Sequence, residues 1–197
     1  MRAGVLALQG DFAAHARALP GAIEVRRAAE IDGLDLLVIP GGESTTLLKL
    51  LATPEGAGIE DAVRRLLARG GTVFGTCAGA ILLARGVSNP AQASWGLLDV
   101  DVDRNAYGRQ VDSFTATLEP EGYEAVFIRA PRITRVGAGV EVLARHGDEP
   151  VLVRQGRIFA ATFHPELTDD RRVFDLLCGS GLVCDPGPVR DPGPVRV

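Results

Sequence analysis

Aromatic side chains make up only 5% of this 197-residue chain, and methionine and tryptophan occur once each. Basic residues are not in excess either: 21 lysines and arginines stand against 25 aspartates and glutamates, a formal net charge of −4, and the basic residues are scattered. Few aromatics and no basic stripe leave no footprint for nucleic acid, and a small-molecule substrate is expected instead. Cysteine is scarce as well. Three of them, an odd number with no metal-ligand spacing, argue for a reducing cytoplasm over a disulfide framework and offer no metal centre. Cys178 and Cys184 read as structural or incidental, and no metal or cofactor is expected. Long apolar runs are missing too, since the stretch from Met1 to Gln9 is too short for the apolar region of a signal peptide and too short to span a bilayer.

Apolar residues themselves are plentiful, at 46%. A chain of this length can then build one good core, and a single domain over residues 1–182 is expected. Residues 183–197 form a tail that repeats itself, Asp185-Pro-Gly-Pro-Val-Arg190 being followed by Asp191-Pro-Gly-Pro-Val-Arg196. Its prolines deny it helix and sheet, so it reads as an extended or disordered segment without a catalytic part.

Strand and helix patterns alternate through the first half. Strands are predicted over 4–8, 23–27 and 34–39, and helices over 11–19, 46–52 and 59–69. Ile59, Ala62, Val63, Leu66 and Leu67 follow the i, i+3, i+4, i+7, i+8 rule with acidic residues in the first turn, marking a surface helix over a sheet. The later chain reads as strands at 95–103, 114–118, 125–129, 140–145, 150–154 and 157–163, closed by a helix over 170–177. This order implies an α/β fold in three layers, with helices on both faces of a mostly parallel sheet and antiparallel strands at one edge. His15 on the first helix reads as a surface residue, and His146 as a solvated turn residue.

The chain is organised around Gly71-Thr-Val-Phe-Gly75-Thr-Cys77-Ala-Gly79-Ala-Ile-Leu-Leu-Ala84. A β-branched and aromatic run leads into Cys77, an alanine- and leucine-rich helix follows, and glycines lie two before and two after the cysteine. That is the pattern of a nucleophile elbow with sulfur in place of the serine hydroxyl. The turn lifts the sulfur into reach and leaves it at a helix N-terminus. The competing reading of Cys77 alone is a small buried hydrophobe. In Phe163-His164-Pro-Glu166, the two-residue spacing puts His164 and Glu166 on one side of an extended segment, where a base and its orienter can line up on one sulfur. Each signal is weak by itself, but each supplies what the other lacks. Pro40-Gly-Gly-Glu-Ser-Thr-Thr46 adds a strand, glycine turn and capped helix at the carboxyl edge of the sheet. Gly41 and Gly42 offer backbone N–H groups there for an oxyanion, and Ser44 or a neighbour caps the helix. With Ala78 supplying a second N–H, the set supports acyl transfer to water through a thioester. In the loop from 104 to 114, Arg104 or Arg109 is suited to grip a carboxylate, the alternative being a solvated loop arginine.

Together with Leu8-Gln9-Gly10 and Arg104-Asn-Ala-Tyr-Gly-Arg-Gln-Val-Asp-Ser-Phe114, these motifs resemble the class I (triad) glutamine amidotransferases, which have a flavodoxin-like fold. Within them the chain is similar to the branch of glutaminase subunits of pyridoxal 5'-phosphate synthase, over roughly residues 2–180. The resemblance implies hydrolysis of L-glutamine to L-glutamate and ammonia, with Cys77 as nucleophile and His164 and Glu166 completing the triad. It further implies that Gly42, Glu43, Ser44, Arg104, Ile128 and Arg129 bind glutamine. The implied partner is a (β/α)8-barrel synthase subunit in a large hetero-oligomer that uses the ammonia for vitamin B6 biosynthesis. Two other readings stay open on the residues alone: a stand-alone Cys-His hydrolase on another substrate, and a catalytically silent regulatory protein of the same fold.

Overall fold

The computed structural model describes residues 1–105 and 113–178. Arg109, Cys184, the expected domain boundary at 182 and the repeated tail lie outside them.

Five parallel strands carry the architecture: β1 (Ala3–Leu6), β2 (Ile23–Val25), β3 (Leu36–Ile39), β4 (Thr72–Thr76) and, late in the chain, β12 (Ile158–Ala161). All but β2 are buried along their whole length, as expected of strands covered on both faces. β10 (Glu141–His146) and β11 (Glu149–Gln155) continue the sheet antiparallel, giving the order β10-β11-β12-β4-β3-β1-β2. Alternation along β3 separates the two faces. Leu37 and Ile39 enter one apolar cluster and Leu36 and Val38 the other, as a side-chain period of two requires.

On the first face lie α2 (Ser44–Leu51), α3 (Ile59–Ala68) and α4 (Ala78–Leu83). Ile59, Ala62, Val63 and Leu66 of α3 are fully buried, and each of its large aliphatic side chains contributes about 1.5–3 kcal/mol by leaving water. On the second face lie α1 (Phe12–Ala18), capped by Asp11, which accepts the Ala14 N–H at 3.0 Å, and α5 (Arg172–Cys178). No helix among the described residues is long and apolar enough to cross a membrane.

The later strands do not all extend the central sheet, as their pattern suggests. β5 (Ala84–Ser88), β6 (Leu98–Asp103) and β9 (Arg132–Val136) form a separate three-stranded sheet, and β7 (Phe114–Leu118) pairs with β8 (Tyr123–Phe127) in a two-stranded one. β5 escapes sequence reading because it begins directly where α4 ends and contains Gly86. β9 escapes because its solvent side carries charge: Arg135 bridges Asp99 and Asp101 of β6. His146 is half-buried at the end of β10, its ring 5.5 Å from that of Phe114, so it is not a solvated turn residue. Cys178 is disulfide-bonded, which fits the structural one of its two readings and corrects the expectation that the cysteines form no disulfide.

Candidate active site

The site begins with the pairing of β4 and β12. Thr76 lies opposite Ala161 in the parallel register, and the Cys77 N–H donates to the Ala161 carbonyl at 2.8 Å. The chain beyond each strand therefore emerges at the same edge, side by side. Past β4 it turns at once into α4. Cys77 takes φ 46° and ψ −102°, a conformation that costs a non-glycine residue about 1–3 kcal/mol and persists only where its surroundings impose it. Close packing imposes it here. A Cβ on Gly79 would collide with the Ile39 carbonyl oxygen, so α4 can seat against β3 only with glycine at that position.

Past β12 the chain reaches His164, whose N–H donates to the Val126 carbonyl at 2.8 Å. Pro165–Leu167 then forms a single 3₁₀ turn. The segment is thus not extended, because Pro165 presets the helical φ at the first position of the turn. The two-residue spacing still brings the side chains together, and His164 Nδ1 lies 2.7 Å from Glu166 Oε1. Burial opposes the charged form of His164. Hydrogen bonds to Cys77 and Glu166 outweigh it and push the pKa up to about 10. Burial likewise opposes ionisation of Glu166, but the neighbouring imidazoles of His15 and His164 bring it down to about 2. At neutral pH the imidazole therefore holds a proton between sulfur and carboxylate. Gly41 closes the group, since a Cβ there would collide with His164 Cε1 and stand 3.2 Å from Cys77 Cβ.

A cavity of about 130 Å³ opens over the sulfur, lined by Cys77, Gly42, Glu43, Ser44, Arg104, Ile128 and Arg129, with Ile81 and Asn105. All six residues matched to glutamine binding thus share one cavity with the cysteine. Glu43 is the capping residue of α2, accepting from the N–H groups of Thr45 and Thr46 at 2.9 and 2.7 Å. Burial works against its charge, while these donors and the Thr46 hydroxyl hold its pKa at about 2. Arg104 reaches Glu43 Oε1 at 3.3 Å and Thr45 Oγ1 at 3.0 Å, and its buried Nε has no hydrogen-bond partner. The cavity thus offers a fixed anion and a cation with bonding capacity to spare. Gln9 braces the glycine turn, its Oε1 accepting the Glu43 N–H at 3.1 Å. Ser44 does not cap α2 but donates to Gln92 Oε1 at 2.9 Å.

Sequence reasoning assigned no role to Ile81 or Asn105, although both lie within quoted motifs, or to Gln92, which lies in none. It also misplaced His15, which is fully buried. A signal was present, because His15 falls three residues after Phe12 and four before Leu19, on the apolar side of α1. Among the described residues, no group of three or more potential ligands could hold a metal ion.

A model of the SNO glutamine amidotransferase family matches residues 5–180. The chain is similar to the pyridoxal 5'-phosphate synthase subunit PdxT of Thermus thermophilus, 55% identical over 179 residues that cover 86% of this chain and 92% of the relative. It is similar also to the subunit of the same name from Solibacter usitatus, 51% identical over 191 residues, 89% of this chain and 96% of the relative. Among solved structures, a crystal structure of a glutamine amidotransferase at 51% identity has a TM-score of 0.82, covering 90% of this chain and 97% of that one. The structure of PurLQS from Thermotoga maritima, at 20% identity and a TM-score of 0.65, covers 89% of this chain and 96% of that one and shares the fold.

Proposed function

Because the chain belongs to the SNO glutamine amidotransferase family, we propose that it is the glutaminase subunit of a pyridoxal 5'-phosphate synthase, working in the cytoplasm with Cys77, His164 and Glu166 as its triad. The observation that carries this reading is the imidazole of His164, hydrogen-bonded to Glu166 and packed with Cys77 around Gly41, beside a cavity in which an anion and a cation face the same space. An amino acid bears both charges. Arg104 suits its carboxylate and Glu43 its ammonium group, while Ile128 and Arg129 close the far side.

Cys77 Sγ attacks the side-chain amide carbon of glutamine, and the electrons of the C=O bond move to oxygen. N–H groups of Gly42 and Ala78 receive that oxyanion. His164 gives its proton to the amide nitrogen, ammonia departs as the C–N bond breaks, and a thioester remains. Water then attacks the thioester, His164 taking its proton and returning it as the sulfur leaves, to release glutamate. Glu166 holds the imidazole in one tautomer and offsets its charge throughout.

Ammonia set free in water is protonated and lost as a nucleophile, so hydrolysis is worth performing only when an acceptor site is docked. The partner is a (β/α)8-barrel synthase subunit in a large hetero-oligomer. The Gly41-Gly42 peptide is a fitting switch, because glycine can rotate the N–H needed by the oxyanion toward or away from the sulfur with little steric penalty. Steady-state release of ammonia from glutamine by the full chain, with and without the synthase subunit, tests this. The isolated chain is expected to be slow, and the partner to raise kcat more than it lowers KM. Cys77→Ala is expected to lower the rate of glutamine hydrolysis by at least about 10⁴-fold, while the mutant complex still makes product from ammonium salts. Persisting hydrolysis in that variant would assign the chemistry to another residue.

A further inference from the structure

His15 has no part in the reaction as derived, yet its side chain is fully buried. Its ring meets Phe174 edge-on with centroids 6.0 Å apart, a contact that a leucine or phenylalanine would make as well without an imidazole to desolvate. Its polar contacts are concentrated on one nitrogen. Nε2 lies 3.1 Å from Thr76 Oγ1 and 3.3 Å from Glu166 Oε2, a buried oxygen that makes no hydrogen bond in this geometry, while Nδ1 has no hydrogen-bond partner either. Thr76 is the residue before Cys77, and Glu166 is the carboxylate facing His164. An imidazole nitrogen can serve a carboxylate only if it carries the hydrogen, which leaves Nδ1 bare, and Nδ1 is the nitrogen without a partner.

We propose that His15 is a positioning residue of the triad, its Nε2–H holding Glu166 Oε2 so that Oε1 stays directed at His164 Nδ1. A carboxylate held at one oxygen pivots about that bond, whereas one held at both keeps its aim. The 3.3 Å contact is long for a hydrogen bond, and catalytic contacts in an empty site commonly shorten once substrate is bound. Through Thr76 the same ring nitrogen also touches the strand that delivers the cysteine. This role rests on the glutaminase reading.

The test compares His15→Met and His15→Gln in the complete complex with the synthase subunit. Both side chains are unbranched and of similar length, and only glutamine carries an N–H donor. His15→Met is expected to lower kcat about tenfold with KM nearly unchanged, and His15→Gln to restore most of the loss. In a Glu166→Gln background, His15→Met is expected to cost less than about twofold, because the group it positions has gone. Equal losses in the two His15 variants, or the same loss in both backgrounds, would reduce His15 to a packing residue. Should the variants not fold, nitrogen NMR of the unsubstituted chain decides: the hydrogen of His15 is expected on Nε2, and finding it on Nδ1 overturns the assignment. A wild-type complex that releases no ammonia from glutamine removes the glutaminase reading instead, which separates the two failures.

Discussion

The two walls of the cavity are built on different principles. The sulfur side is an extension of the central sheet: β4 and β12 pair in register, the elbow bonds back to Ala161, and Gly79 and Gly41 leave no room for another arrangement. The far side is gathered from separate pieces, two of them joined by Arg104, which reaches Glu43 and Thr45. Glu43 caps α2, Arg104 follows β6, and Ile128 and Arg129 follow β8, which belongs to a two-stranded hairpin. On the proposed reading, chemistry is placed by a buried ladder, and recognition by the turn after β3 and by the ends of strands in the two smaller sheets. Such a division lets binding contacts vary without moving the nucleophile.

If the division is real, substitutions on the two sides should separate in kinetics. The largest effect belongs to the sulfur side: His164→Ala should lower kcat by about 10⁵-fold, whereas Glu166→Gln should be about a hundredfold milder, since packing can partly replace an orienter but nothing replaces a proton carrier. Equal losses in the two variants would erase the distinction between shuttle and orienter. On the far side, Arg104→Met should raise KM about 10–100-fold with kcat little altered, the loss of a charge-assisted contact made equally in ground and transition states. Were kcat to fall in step, the two walls would be acting as one.

The smallest effect is on stability. The folded pKa of Glu166 lies at about 2 against an ordinary 4.5, so its contribution is full above pH 4.5 and fades as pH falls toward 2. That of His164 lies at about 10 against 6.5, so its contribution is full below pH 6.5 and is lost as pH rises through 10. Thermal denaturation across pH should therefore show the deficit of Glu166→Gln shrinking on acidification, and a deficit that stays constant would mean the pair adds nothing to folding.

The same contrast explains what could be read in advance. The parallel strands are continuous apolar runs and the elbow is a pattern of neighbours, so the central sheet and Cys77 were legible from local signals. His164 and Glu166 were legible as a pair but not in their geometry, because Pro165 turns a nominally extended segment into a 3₁₀ turn. Ile128 was reachable only by resemblance: a half-buried isoleucine after a strand carries no mark of binding. The separate β5-β6-β9 sheet was missed because pairing across long separations leaves no trace in the strands concerned. His15 was misread because histidine on a short helix suggests solvent, although its spacing from Phe12 and Leu19 placed it on the apolar side.

The pairing of β4 with β12 also sets an order of events during synthesis. The cysteine leaves the ribosome with β4, but His164 arrives only after β12, when all of β5 through β11 has been made. Contacts between such distant segments form late in folding. A nascent or truncated chain therefore carries its sulfur without the imidazole and without the Ala161 carbonyl that fixes the elbow. On the proposed reading, competence for glutamine hydrolysis therefore arrives last, when the final strand of the sheet docks.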